Sequence, residues 1–164
     1  LKKRIFMNQA AFLKHEQILP FLLVSGTAFL IAAQIALVVL CKYLLANEEN
    51  NKLILRDLKI FFYIQFVLLI LVAVFGFLAS LQDDMRLADP MKKAILATKW
   101  AVCAFICVNY AYMWHKYMRA KAAFLANDPI EVGDNLVLIA YYFTPLNIVL
   151  CIFHIYLGIA FRDF

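Results

Sequence analysis

Three histidines, His15, His115 and His154, and five polar side chains set inside long apolar runs, Thr27, Gln34, Gln65, Asn109 and Asn147, are the residues of this chain best suited to chemistry. A polar group inside a lipid-crossing run costs free energy unless it finds a partner, so each marks an interhelical contact or a binding site. Histidines can also hold haem iron from its axial positions. Two haems with two histidines each would need four, and the chain has 3. His115 and His154 fall towards opposite ends of the membrane, about 20 Å apart along the helices, too far to face one iron. His15 and His154 lie on the same side, but His15 precedes Pro20 and should sit about 10 Å farther out. His154 is therefore the first axial candidate for haem b, with His115 second and His15 third, and Gly76 would give room for a macrocycle.

Other chemistry is sparse. There is no glycine-rich phosphate loop, no GxSxG and no HExxH, so no complete catalytic constellation is present and a non-enzymatic role is expected. Glu48, Glu49, Asp83, Asp84 and Asp89 fall in the connections, where acids solvate or cap, and none lies within the apolar runs. That disfavours a proton-coupled carrier, which would need an intramembrane carboxylate. Cys41, Cys103, Cys107 and Cys151 lie in or at the edge of apolar runs without CxxC spacing. They read as small hydrophobes, and no metal site is expected.

These residues must be positioned by membrane helices. The 164 residues are 66% hydrophobic and 16% charged, with a mean hydropathy of +0.81, too apolar for an ordinary soluble domain. Four runs, residues 19–41, 60–81, 94–115 and 136–161, each approach the ~20 residues that cross a ~30 Å hydrocarbon layer. The runs are continuous, with only 4 Gly and 4 Pro in the chain, which excludes the alternating segments of a β-barrel. The expected fold is all-α: one domain, residues 1–164, with four transmembrane helices in an antiparallel bundle. An amphipathic segment over residues 1–18 should lie at the interface before the first span. That span starts too late and runs too long for a cleavable signal sequence, although Leu1 rather than Met points to something upstream.

Local signals set the ends. Asp89 and Pro90 suit the N-cap and first position of the third helix, which the pattern carries past His115 to about residue 126. Pro20 suits a first-turn position, and Thr144-Pro145 predicts a kink near Tyr141, whose carbonyl loses its usual donor. Four spans put both termini on one side, A. Side A carries nine basic residues (Lys2, Lys3, Arg4, Lys14, Arg86, Lys92, Lys93, Lys99, Arg162) against seven on side B (Lys42, Lys52, Arg56, Lys59, Lys116, Arg119, Lys121). The excess points to cytoplasmic termini. The net charge of +5 is flanking charge that meets lipid headgroups, so nucleic acid is not an expected partner.

Helical periodicity separates the two ends of the third span. At about 100° per residue, His115 shares a face with Ala101, Ala104, Val108, Ala111 and Tyr112, whereas Lys99 shares the opposite face with Cys103, Ile106, Tyr110 and Trp114. Small residues mark close helix contact, so His115 is expected to face the bundle. Lys99 is expected to snorkel to side A along a lipid-facing stripe, an interfacial anchor like Lys116, Arg119 and Lys121.

The four-helix layout, Lys99 near the start of the third span, and Tyr112-Met-Trp-His-Lys116 followed by Arg119 at its end resemble the HemJ/CopD-type group of bacterial inner-membrane proteins. The resemblance implies a haem-associated redox role such as protoporphyrinogen oxidation. That group carries a histidine inside the first span, where this chain has Ser25-Gly26-Thr27, and Tyr110 stands where its third-span histidine would be. The sequence therefore points first to an integral subunit or accessory protein of a bacterial inner membrane, acting by helix packing against other membrane subunits or copies of itself. A haem-binding redox protein is the alternative. A small channel or carrier lined by Gln34, Gln65, Asn109 and Asn147 is a third reading.

Overall fold

The computed structural model describes residues 15–46, 51–82 and 90–163, all helical except Ala126, Asn127 and Asp128. Helix α1 spans His15–Ala46, α2 Asn51–Gln82 and α3 Pro90–Leu125; α4 (Pro129–Val137), a π-helical turn (Leu138–Phe143) and α5 (Thr144–Asp163) follow one another as a single fourth rod. Four segments of these rods, Ile18–Tyr43, Leu55–Leu81, Pro90–Leu125 and Pro129–Ala160, are long and apolar enough to cross a membrane. The protein is an all-α integral membrane protein with four helices of spanning length.

The rods outrun the apolar runs at nearly every end. Residues 1–14, most of the expected interfacial segment, lie outside the described residues, as does Asp89, while residues 15–18 already belong to α1. Pro20 thus lies inside α1 rather than in its first turn, close enough to the start that only the Glu16 carbonyl loses a helical donor. The α3–α4 connection is three residues long. Asn127 takes the left-handed conformation (φ 56°), which asparagine tolerates better than most side chains. The Asp128 carboxylate then accepts from the Ile130 and Glu131 N–H groups, each at 3.1 Å, with Pro129 following as the first helical residue.

The discontinuity expected at Thr144-Pro145 is present as the π turn. Pro145 has no N–H to give, and the chain accommodates this by widening the turn before it. The Thr144 N–H reaches the Ile139 carbonyl, and the Thr144 hydroxyl donates to the same oxygen at 2.7 Å. A π turn is a common place for a helix to re-aim side chains, and this one sits beside Asn147.

Packing is closest between α1 and α2. Gly26 meets Val72 and Gly76 meets Leu23, and a Cβ built on Gly26 would lie only 3.2 Å from Val72 Cγ2. The contact of α2 with α3 is different: the backbones stay apart and aromatic rings fill the gap. Phe62 is 1% exposed and lies against Tyr110, Trp114 and Tyr117, with ring centroids 5.3–5.7 Å away. Such ring pairs add about 0.5–1.5 kcal/mol each beyond the area they bury. Two tyrosine hydroxyls then tie α3 to α2 carbonyls, Tyr110 to Phe62 and Tyr117 to Leu55, the latter at 3.0 Å. Near side B, α3 and α4 continue the core through Tyr117, Ala120, Ala123, Val132 and Leu136.

Candidate functional site

The amide-bearing side chains of the four helices meet at one level of the bundle. The α1–α2 register fixed by Gly26 on Val72 and Leu23 on Gly76 brings residue 34 level with residue 65, and both glutamines are fully buried. On the other side of the core, Asn109 Nδ2 donates to Asn147 Oδ1 at 2.7 Å and to the Phe143 carbonyl at 3.3 Å. Asn147 Nδ2 in turn reaches the Met113 sulfur at 3.3 Å. Gln34 lies within hydrogen-bonding reach of Cys151, one turn from Asn147, which closes the layer between α1 and α5. Gln34 Oε1 and both polar atoms of Gln65 remain buried without a partner. Thr27 lies two turns from Gln34, its hydroxyl donating to the Leu23 carbonyl at 2.8 Å within α1.

The asparagine pair ties α3 to the fourth rod, while Gln65 of α2 makes no hydrogen bond in the layer. The asparagines are satisfied by each other and by their neighbours, and Asn147 is 0% and Asn109 6% exposed. Interhelical hydrogen bonds of this kind average about 0.6 kcal/mol in membranes, enough to fix register.

A second cluster lies towards side A. His154, 5% exposed, has no hydrogen-bond partner at either ring nitrogen. It lines a small space with Lys99, Trp100, Cys103, Val72 and Gly76. The Lys99 ammonium lies beside Gly158, one turn from His154 on the same face; a Cβ there would be 3.8 Å from Nζ. The space amounts to about 10 Å³, room for one water molecule. Cofactor sites run to about 300 Å³ and more. Gly76 does border His154 as the haem reading requires, but a macrocycle would enter only if α2, α3 and α5 moved apart. The other two axial candidates do not join it, since His115 is exposed towards side B and the His15 side chain lies outside the described residues.

Two expectations for α3 are therefore corrected. His115 faces outward with Ala101, Ala104, Val108 and Ala111, and the inward stripe is Cys103, Ile106, Tyr110, Met113 and Tyr117. The rule that small residues face in assumes close backbone approach, whereas α3 meets α2 through long aromatic side chains. Lys99 does reach towards side A, but on the inward stripe and half-buried, so it is no lipid-facing anchor. The side-B lysines fit anchoring better. Lys42 lies over the Tyr141 ring, Lys59 over Tyr63 and Lys116 over Tyr112, at 5.4–5.6 Å, the arrangement of amphipathic side chains at an interface. Arg119 and Lys121 follow on α3, both exposed.

One feature had no single-residue signal. Because α2 and α3 stand apart, an apolar groove of about 450 Å³ opens between them, lined by Phe66, Ile70, Ala73, Cys107, Ala111 and Trp114 among others. Helical spacing puts Tyr110, Trp114 and Tyr117 on one face of α3, and their pairing with Phe62 and Phe66 makes that face a groove wall. The four cysteines are free thiols, with Cys107 exposed at this groove and the other three buried. Among the described residues, no three His, Cys, Asp or Glu side chains gather to hold a metal. No family model, curated protein or solved structure matches the chain.

Proposed function

We propose that this membrane protein is a non-enzymatic subunit or accessory factor that acts by packing its α2/α3 face against a transmembrane helix of another membrane component. The observation that carries the reading is the uncovered stripe of Ala97, Ala101, Ala104, Val108 and Ala111 along α3, small at every position but Val108, beside the apolar groove. In lipid there is no hydrophobic drive for helices to associate, so contact depends on close approach and shape. Alanines at helical spacing let a second backbone come close over several turns. The groove beside them accepts that helix's larger side chains between Phe66 and Trp114. The lipid-facing surface of α5 is bulky by contrast, as at Val149, Ile152, Phe153 and Tyr156. The reading puts the protein in a bacterial inner membrane, supported by continuous helical spans, with cytoplasmic termini supported by the excess of basic residues on side A.

A photoreactive side chain introduced at Ala104 tests this in native membranes, with Phe153 as the comparison position. The expected result is a protein adduct of defined mass from Ala104 and lipid adducts alone from Phe153. Lipid adducts alone from both positions, or the same protein adducts from both, would overturn the reading.

A further inference from the structure

Lys99 and His154 line one space in which, among the described residues, no carboxylate stands as a counter-ion. The apolar runs hold no carboxylate, and the space the two residues share is bordered otherwise by Val72, Ala73 and Gly76 of α2 and Leu96, Trp100 and Cys103 of α3. His154 is 95% buried, being 5% exposed, and neither ring nitrogen has a partner. An ammonium inside a membrane segment is costly and is found paired with an anion, a dipole or water. Here its available neighbour is an imidazole, which can donate to the same guest.

We propose that Lys99 and His154 form a binding site for a halide-sized anion, chloride being the abundant one in solution. Size selects the class: the space holds a guest about as large as one water molecule, whereas a sulfate or phosphate ion carries four oxygens around its centre. Donor chemistry selects the sign, since an ammonium has only donors and imidazole offers an N–H. Gly158 gives the lysine head its place, and Gly76 leaves the opposite wall without a side chain. The space shares Ala73 with the α2/α3 groove, but neither Lys99 nor His154 lines that groove, so the proposal stands or falls separately from the docking reading.

Trp100 borders the same space and is one of 2 tryptophans, so it serves as the reporter once the other is removed by Trp114→Phe. The experiment titrates bromide, a quencher of indole emission, onto this variant in phosphatidylcholine nanodiscs at constant ionic strength set with sulfate. Saturable quenching is expected, reversed by chloride and unaffected by added phosphate. Lys99→Gln or His154→Phe in the same background should leave only a weak, linear response. Linear quenching without those changes overturns the proposal, because it reports collision. Competition by phosphate overturns the size argument. Loss of saturation in phosphatidylglycerol nanodiscs also overturns it, assigning the site to the headgroup of an anionic lipid. Should either variant fail to fold, thermal unfolding of the unmodified protein decides: chloride in place of sulfate should raise the midpoint, as any ligand of the native state does, and no rise overturns the proposal.

Discussion

Replacing Asn109 by alanine removes the donor that holds α3 to the fourth rod, and the structure sets the size of the effect. The Asn109–Asn147 hydrogen bond is 2.7 Å long, and Asn147 is completely buried. The interhelical bond contributes about 0.6 kcal/mol, with about 1.7 as the upper end measured for such bonds in a membrane. Its loss also strands the Asn147 carbonyl oxygen in an apolar interior, at about 1–3 kcal/mol. Asn109→Ala is therefore expected to cost about 2–4 kcal/mol, and Asn147→Ala less, because the Asn109 amide keeps the Phe143 carbonyl as an acceptor at 3.3 Å. Replacing both by leucine removes donor and acceptor together at nearly constant volume, so the double variant should lose far less than the two single losses summed. Unfolding by denaturing detergent in mixed micelles, read by loss of helical signal, gives all four corners of the alanine cycle and the leucine pair. The coupling energy between the alanine substitutions should exceed the ~0.6–1.7 kcal/mol of the bond itself, because the double variant also removes the polar group that a single variant strands. Strict additivity, with coupling below about 0.3 kcal/mol, would refute the argument that the asparagines act as one interhelical lock.

Two further predictions concern the other helix contacts. Gly26→Leu should destabilise the α1–α2 pair by about 1–3 kcal/mol, because its first side-chain carbon already meets Val72 Cγ2 at 3.2 Å; the same detergent unfolding measures it, and Val72→Ala in the same chain should recover part of the loss. Tyr117→Phe keeps the ring against Phe62 but leaves the Leu55 carbonyl without its 3.0 Å donor, so a loss of about 1 kcal/mol is expected, with native helical content retained in circular dichroism.

Much of the architecture was legible in the chain because a hydrocarbon layer imposes a simple length rule. The four apolar runs fall inside the four rods, Pro90 opens α3, and Thr144-Pro145 coincides with a helical defect, all consequences of local backbone chemistry. The inward orientation of Gln34, Gln65, Asn109 and Asn147 was also legible, since a lipid-facing amide is costly wherever it occurs. Orientation of α3 was not. Its two faces differ in size rather than polarity, with alanines on one and aromatic residues on the other. Which face turns inward depends on how far away the neighbouring helix stands.

The sequence by itself determined that this is a helical membrane protein, where its spans fall and which polar groups must find partners, because lipid penalises every unsatisfied polar group regardless of its neighbours. Only the tertiary structure decided that α2 and α3 stand apart on a bridge of rings, and this single spacing reversed the face of His115, turned the alanine stripe outward and opened the groove. It also decided that Lys99 meets His154 and Gly158, residues 55 and 59 positions away in the chain. Periodicity along one helix says which residues share a face, and packing between helices says what that face meets.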